Sequence, residues 1–326
     1  MHQTPPTLPL TEHFEAHDRT RLQLHDADVC VAELTIDAFD IHDGRGGSIA
    51  VRGIGNVATH EDYRHQGFAR QLLAVAEDHM RASGGSLGLL YGIDDFYDQL
   101  GWVRCGDESH ALLTVRELSR AHARETTMPA GYTSRRAALT DMDAIQALYE
   151  ASARTTRGAT ARTDTSRAWA MLRDALAADI VRPGAAAGPD ARAVDDGDCR
   201  VVEGPAGTVV AYAWRCTGHR NADELLPRYP NSMVIPEAIA QDADAARALL
   251  VDVRTWGTAW FNRDDAVCRR IMLMPAPDSA LMNIIRAEQH AVLTTHLRPA
   301  GGMMALRLDE HAPKLTGAYQ YLADRF

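Results

Sequence analysis

Two short segments of this chain combine residue types and spacings that could do chemistry. The first is Arg64-His65-Gln66-Gly67-Phe68-Ala69-Arg70, which follows an apolar stretch ending in Val57-Ala58-Thr59 and opens a helical period. N–H groups in the first turn of a helix have no internal partner and sit at the positive end of its dipole, so they bind phosphate. Gly67 and Ala69 are small enough to let an anion reach that main chain, and Arg64, His65 and Arg70 add local positive charge. An Arg-x-x-Gly-x-Ala string alone is also what the cap and first turn of any amphipathic helix could look like. Its weight comes from the second segment, Phe96-Tyr97 with Leu100-Gly101-Trp102, which lies at a natural distance after it. A tyrosine hydroxyl on a short helix there could donate a proton to a reacting group. The alternative is an aromatic pair packed in the core, a reading that suits Phe96 better than Tyr97.

The elements that must hold these segments can be read from periodicity. Residues 29–57 alternate apolar and polar, broken by the turn His42-Asp43-Gly44-Arg45-Gly46-Gly47, and predict antiparallel strands. Ala69, Leu72, Leu73, Ala76 and Met80 form one helical stripe that Gly84-Gly85 ends. Leu87 to Tyr91 reads as a buried strand, followed by a short helix to Leu100, a strand at Trp102-Val103, and a strand Ala111 to Val115 completing a hairpin. Residues 119–130 are the expected linker between a first domain, 1–118, and a second, 131–326. The second domain is expected to run strand, helix from Asp141, an exposed loop over 182–198, strands near 200–203, 208–214 and 233–235, helix 244–260, strand 270–274 and helix 279–289. Strands near 293–297 and 303–308 close it. The order of elements repeats, which predicts an α/β (α+β) chain of two similar mixed-sheet domains in tandem.

Composition narrows the chemistry further. A length of 326 residues exceeds what one core usually organises. The formal charge of −10 argues against wide contact with nucleic acid, which needs a basic face, and suits a cationic substrate such as an amine. The five cysteines are an odd number without a Cys-x-x-Cys pair, so neither a zinc knuckle nor a disulfide framework is indicated. No apolar run has the length of a membrane span, and the start has no basic flank or apolar core, so a cytoplasmic protein without membrane contact is expected.

The pattern Val57-Ala58-Thr59, Tyr63-Arg64-His65-Gln66-Gly67-Phe68-Ala69 and Phe96-Tyr97 with Leu100-Gly101-Trp102 resembles the GCN5-related N-acetyltransferase (GNAT) superfamily, well over residues 29–115. Tandem order and motif detail resemble the branch typified by the enhanced intracellular survival acetyltransferases. The resemblance implies a sheet that splays between the strand ending near Thr59 and the strand Leu87 to Tyr91, with the pantetheine of acetyl-CoA (coenzyme A) entering the gap. It implies that main-chain groups of Val57, Ala58 and Thr59 hold the pantetheine amides and that the segment from Arg64 to Arg70 holds the pyrophosphate. An acceptor amine would attack the thioester directly, and Tyr97 would protonate the leaving thiolate. The base stays open among His60, Glu61 and a water chain. In the resembling branch a terminal carboxylate can serve, here that of Phe326, although this chain is too short for that branch's third, sterol-carrier-like domain.

The corresponding stretch of the second domain, Ile235 to Asp244, has no glycine, and Asp242 and Asp244 stand where a pyrophosphate would be bound. A degenerate domain that keeps the fold and has lost the cofactor is therefore expected. Trp256 and Trp260, one helical turn apart, could line an acceptor pocket, but their spacing favours a buried face, whereas Arg162, Asp164 and Trp169 either frame a substrate cleft or join helices. Compared with the resembling family, the first domain has a short start before Val29, without the usual strand and two helices that cover the acceptor, and the second domain or a partner chain is the expected source of that cover. The functions in competition are an N-acetyltransferase for a small-molecule amine and a non-catalytic acyl-CoA-binding sensor. An aminoacyl transferase working on tRNA is disfavoured by the charge. A homo-oligomer is compatible with all of them.

Overall fold

Alternation makes the first part of the chain a strand meander. In the computed structural model β1 (Leu10–Glu15), β2 (Arg19–Asp26), β3 (Val29–His42) and β4 (Ser48–Thr59) pair antiparallel in that order. Helix α1 (Phe68–Ala82) and strand β5 (Leu87–Gly92) come next. Leu22, Leu24, Leu34 and Ile36 bury against Phe68, Leu72, Leu73, Ala76 and Met80, one apolar face of sheet on one apolar stripe of helix. The sheet thus begins well before Val29. The buried alternation Thr20, Leu22, Leu24 in β2 is the signal that a reading starting at Val29 passed over. The structure describes residues 8–15, 18–92, 95–106, 108–114, 127–181, 199–215, 232–261, 270–287, 292–296, 302–315 and 318. The expected loop over 182–198 lies outside them.

Strands β4 and β5 run parallel, joined through α1, and their register ends early. Val51 to Ile54 pair with Leu87 to Leu90, and there the pairing stops. Beyond that point β4 continues to Thr59 on β3 alone, with a bulge at which Asn56 adopts a left-handed φ of 53° and donates from Nδ2 to Thr35 Oγ1 at 3.2 Å. A bulge bends its strand and re-aims the residues beyond it, so the two parallel strands part at their carboxyl ends. Open α/β sheets bind ligands in such a crevice.

The rest of the chain contributes β6 (Val103–Gly106), β7 (Glu108–Thr114), β8 (Thr133–Arg136), α2 (Met142–Thr155), α3 (Arg167–Val181), β9 (Cys199–Glu203), β10 (Val209–Trp214), β11 (Ser232–Ile235), β12 (Glu237–Ala240), α4 (Ala243–Phe261), β13 (Arg270–Leu273), α5 (Ala280–Ala287), β14 (Val292–His296) and β15 (Gly302–Arg307). The described strands form three sheets, ordered β1-β2-β3-β4-β5-β15-β6, β12-β10-β9-β8 and β11-β13-β7-β14. Two expectations are corrected here. The strand near 111–115 makes no hairpin with β6, because β7 lies between β13 and β14. The strand near 303–308 does not close the second unit, because β15 lies between β5 and β6. Each half therefore lends one strand to the sheet of the other. Met304 buries on the α1 face and Met303 and Ala305 on the opposite one, and this two-sided burial is what an interior sheet position requires.

The second half repeats the parting of a parallel pair and carries it further. β11 runs parallel to β13 through Ile235 and Leu273, Pro236 interrupts the ladder, and β12 joins β10 in a separate sheet. The opening is filled from within. Glu237, fully buried, accepts from Arg162 Nη2 at 2.5 Å and Nη1 at 3.2 Å and from the Tyr212 hydroxyl at 2.6 Å. The Arg162 guanidinium lies 3.7 Å from the ring centroid of Tyr149 and 4.4 Å from that of Trp169. Removing one member of a buried, hydrogen-bonded ion pair leaves the other charge desolvated, so Glu237→Ala should cost about 3–5 kcal/mol in urea unfolding. A loss under about 1 kcal/mol would mean that the charge of Arg162 finds other compensation.

The second half also touches the first sheet directly. Residues 158–161 bond to the end of β3, with His42 N–H on Ala159 O at 2.7 Å and Ala161 N–H on Asp40 O at 2.8 Å. Ala312, Leu315 and Ala318 bury against Ile41, Val51, Leu87 and Leu89 on the face away from α1.

Candidate functional site

The gap between β4 and β5 opens at the end from which α1 starts, and the sequence builds that corner from local rules. After Thr59 a single 3-10 turn, Glu61–Tyr63, is capped by His60, whose Nδ1 accepts the Asp62 N–H at 3.4 Å. Gln66 donates from Nε2 to Asp62 O at 3.1 Å. His65 (φ 63°) and Gly67 (φ 91°) both adopt the left-handed conformation, and Gly67 is the residue that does so without steric cost. Gly67 makes no side-chain cap, and Gln71 is the first residue in the helical ladder, bonded to Gly67 O at 3.1 Å. The N–H groups of Phe68, Ala69 and Arg70 are consequently left without partners inside the helix. The first turn carries no acidic residue, and Arg64 and Arg70 are exposed beside it. This donor set and charge fit a pyrophosphate.

Placement separates the residues singled out from the sequence into groups. Val57, Ala58 and Thr59 form the end of β4, where the edge toward β5 has no strand partner. Arg64 Nε donates to Thr59 O at 3.4 Å, joining that edge to the corner. Phe68 is 2 % exposed and its ring packs in the core, which leaves its main-chain N–H as the group it could offer the corner. His60 and Glu61 belong to the capped turn, and neither is aimed by a hydrogen bond at Tyr97. Trp169 and Trp256 are buried among apolar residues and the Arg162 side chain is sealed against Glu237, so the cleft-framing alternative is corrected in favour of core. Asp164 is exposed and its carbonyl accepts from Arg173. The Trp260 side chain and the terminal carboxylate of Phe326 lie outside the described residues.

Tyr97 stands at the end of β5. Its ring meets Phe96 edge-on at 4.9 Å and Trp102 at 6.5 Å, and only 9 % of the residue is exposed. Burial pushes its phenol above the ordinary value of 10, so it is protonated at neutral pH and suited to giving a proton rather than taking one. Gly92 makes the placement possible, since a Cβ there would lie 2.3 Å from Tyr97 Cδ2. Gly92→Ala should therefore displace the ring, costing about 1–3 kcal/mol in thermal or urea unfolding. Unchanged stability would show that the ring has room to move. Gly92 and Asn56 are the positions that sequence reasoning missed. A glycine closing a buried strand, and a Gly-Asn pair inside one, were the available signals.

The second half has a different helix start. Asp242 Oδ1 accepts the N–H groups of Asp244 at 3.0 Å and Ala245 at 2.9 Å, so the donors that α1 leaves free are here satisfied by a carboxylate. Asp244 pairs with Arg247 at 2.7 Å. Among the described residues no cluster of His, Cys, Asp or Glu could hold a metal ion, and no helix is long and apolar enough to cross a membrane.

Residues 10–105 match the family model of the acetyltransferase (GNAT) domain. No curated protein sequence matches the chain. Among solved structures, a GCN5-related N-acetyltransferase from Kribbella flavida is 16% identical with a TM-score of 0.56, over 90% of this chain and 61% of that one. Eis1 from Mycobacterium abscessus is 13% identical with a TM-score of 0.54, over 89% of this chain and 65% of that one. A conserved protein from Enterococcus faecalis is 14% identical with a TM-score of 0.58, over 90% and 62%. The chain thus spans less than two thirds of the length of these structures, and at such identities the likeness is one of fold. With the parted strands, the glycine-opened helix and the family match all falling on the same stretch, residues 10–105 are an acetyltransferase domain of the GNAT family.

Proposed function

We propose that this protein is an acetyl-CoA-dependent N-acetyltransferase with one active site, in the first half of the chain, and a small-molecule amine as acceptor. The observation that carries the reading is the corner where β4 leaves β5 and α1 begins at Gly67 with three unpartnered N–H groups. Acetyl-CoA supplies an acyl group activated as a thioester. The main chain of Phe68, Ala69 and Arg70, with Arg64 and Arg70, holds its pyrophosphate. The free edge of Val57 to Thr59 holds the pantetheine amides. As the amine nitrogen bonds to the acyl carbon and the carbon–sulfur bond breaks, Tyr97, protonated and buried beside the end of β5, gives its proton to the departing sulfur, and the proton shed by the nitrogen passes to solvent, which reprotonates the phenol.

The division into 1–118 and 131–326, joined through 119–130, is retained as a division of labour. The first part carries the site, and the second braces it through β15, residues 158–161, and Ala312, Leu315 and Ala318. The second half should bind no coenzyme A, because Asp242 occupies its helix start. A fragment beginning at Gly131 cannot test this, since it would lack β7 from the interior of its sheet. Calorimetric titration of the full chain is the suitable experiment, with one coenzyme A per chain expected and a stoichiometry of two contradicting the single site. Release of free coenzyme A that depends on added amine tests the activity itself.

A further inference from the structure

The segment that carries Tyr97 is tied to the phosphate corner by one polar side chain. Gln99 is exposed yet fixed at both ends of its amide. Its Oε1 accepts from Arg70 Nη2 at 2.6 Å, and its Nε2 donates to Asp95 O. The second bond closes a turn over residues 95–99 in which Asp95 has a left-handed φ of 67°. Tyr97 O accepts the N–H groups of Leu100 at 2.9 Å and Trp102 at 3.2 Å, so the tyrosine's main chain belongs to the same turn. Arg70 also lies over the Phe96 ring, 5.7 Å from its centroid. Rings and Gly92 fix the Tyr97 side chain from the core side, but among the described residues the hydrogen bond from segment 95–99 to α1 is that between Gln99 and Arg70.

Arg70 is the third residue of α1, so its N–H is one of the three unpartnered donors while its guanidinium holds Gln99. An anion on the helix start would attract that guanidinium and restrict it, and the same group then restricts the turn. We infer that Gln99 is a positioning residue for Tyr97, and that Arg70 is the joint through which phosphate binding at α1 sets the tyrosine's place. The inference rests on the proposed reading of Tyr97 as proton donor. A mere surface tether would steady the turn whether or not phosphate is bound, and would not act through the Tyr97 hydroxyl.

The test is a double-mutant cycle with Gln99→Ala and Tyr97→Phe, using acetyl-CoA and the best acceptor from a panel of polyamines, amino-acid amides and amino sugars. Gln99→Ala should lower kcat by roughly tenfold with the coenzyme A dissociation constant within about twofold of wild type. In the Tyr97→Phe background it should change kcat by less than about twofold, because the group it positions is already gone. Unchanged kcat in Gln99→Ala, or an equal loss in both backgrounds, overturns the inference. Failure of the underlying reading shows separately, as full turnover in Tyr97→Phe alone or as no turnover in wild type. Hydrogen exchange then decides the coupling: coenzyme A should slow exchange of the amides of residues 98–101 in wild type and not in Gln99→Ala, and equal slowing in the two proteins overturns it.

Discussion

Gly67→Glu loses coenzyme A binding by at least about 100-fold in a chain that still folds. Two effects act at one atom. The position has a φ of 91°, which a residue with a Cβ adopts only at a cost of about 1–2 kcal/mol. The new carboxylate then stands at the three N–H groups that the pyrophosphate needs, repelling its charge. Gly67→Ala separates the two, since it carries the backbone strain without the charge and should weaken binding about tenfold or less. Calorimetry on both variants, with circular dichroism to establish folding, checks the pair. Wild-type affinity in a folded Gly67→Glu protein would remove the pyrophosphate from this corner.

Tyr97→Phe is expected to leave coenzyme A affinity nearly intact and to lower turnover by roughly ten- to ten-thousandfold, the range for one lost general acid. Stability should change little, because the Tyr97 ring makes the packing contacts and its hydroxyl has no hydrogen bond among the described residues. The pH dependence has a definite sign. The working form is the neutral phenol and burial raises its pKa above 10, so the wild-type rate owes no loss to this group through neutral pH and falls only as pH rises through the raised value. Steady-state kinetics across that range checks it. A Phe variant with full turnover would make Tyr97 a packing residue and solvent the proton source.

What was legible in the sequence is what local chemistry dictates. A glycine that must take a left-handed φ, small residues beside it and an apolar helical stripe gave the corner and α1 without any partner being known. The aspartate that closes the second helix start was legible for the same reason. Strand exchange was not. Alternation in β7 and β15 announces strands, but the partner is chosen by two-sided burial across the chain, and Tyr91 meets Met303 from 212 positions away. Nothing local marks Arg162 and Glu237 as a pair, because their match exists only once α2, α3, β10 and β12 have assembled. Gln99 was hidden in another way: an exposed glutamine has no signature, and its meaning comes from Arg70 on a different element.

In the proposed reaction the corner at Gly67 and the hydroxyl of Tyr97 serve one acyl transfer to an amine. The most direct test monitors thiol release from acetyl-CoA with wild-type protein across a panel of small amines, with mass spectrometry locating the acetyl group. Release that depends on the amine, an acetyl group on its nitrogen, and loss of both in Gly67→Glu are expected. Tight coenzyme A binding without amine-dependent release for any member of the panel would contradict the proposed reaction, and would make the chain a binder of acyl-CoA rather than a transferase.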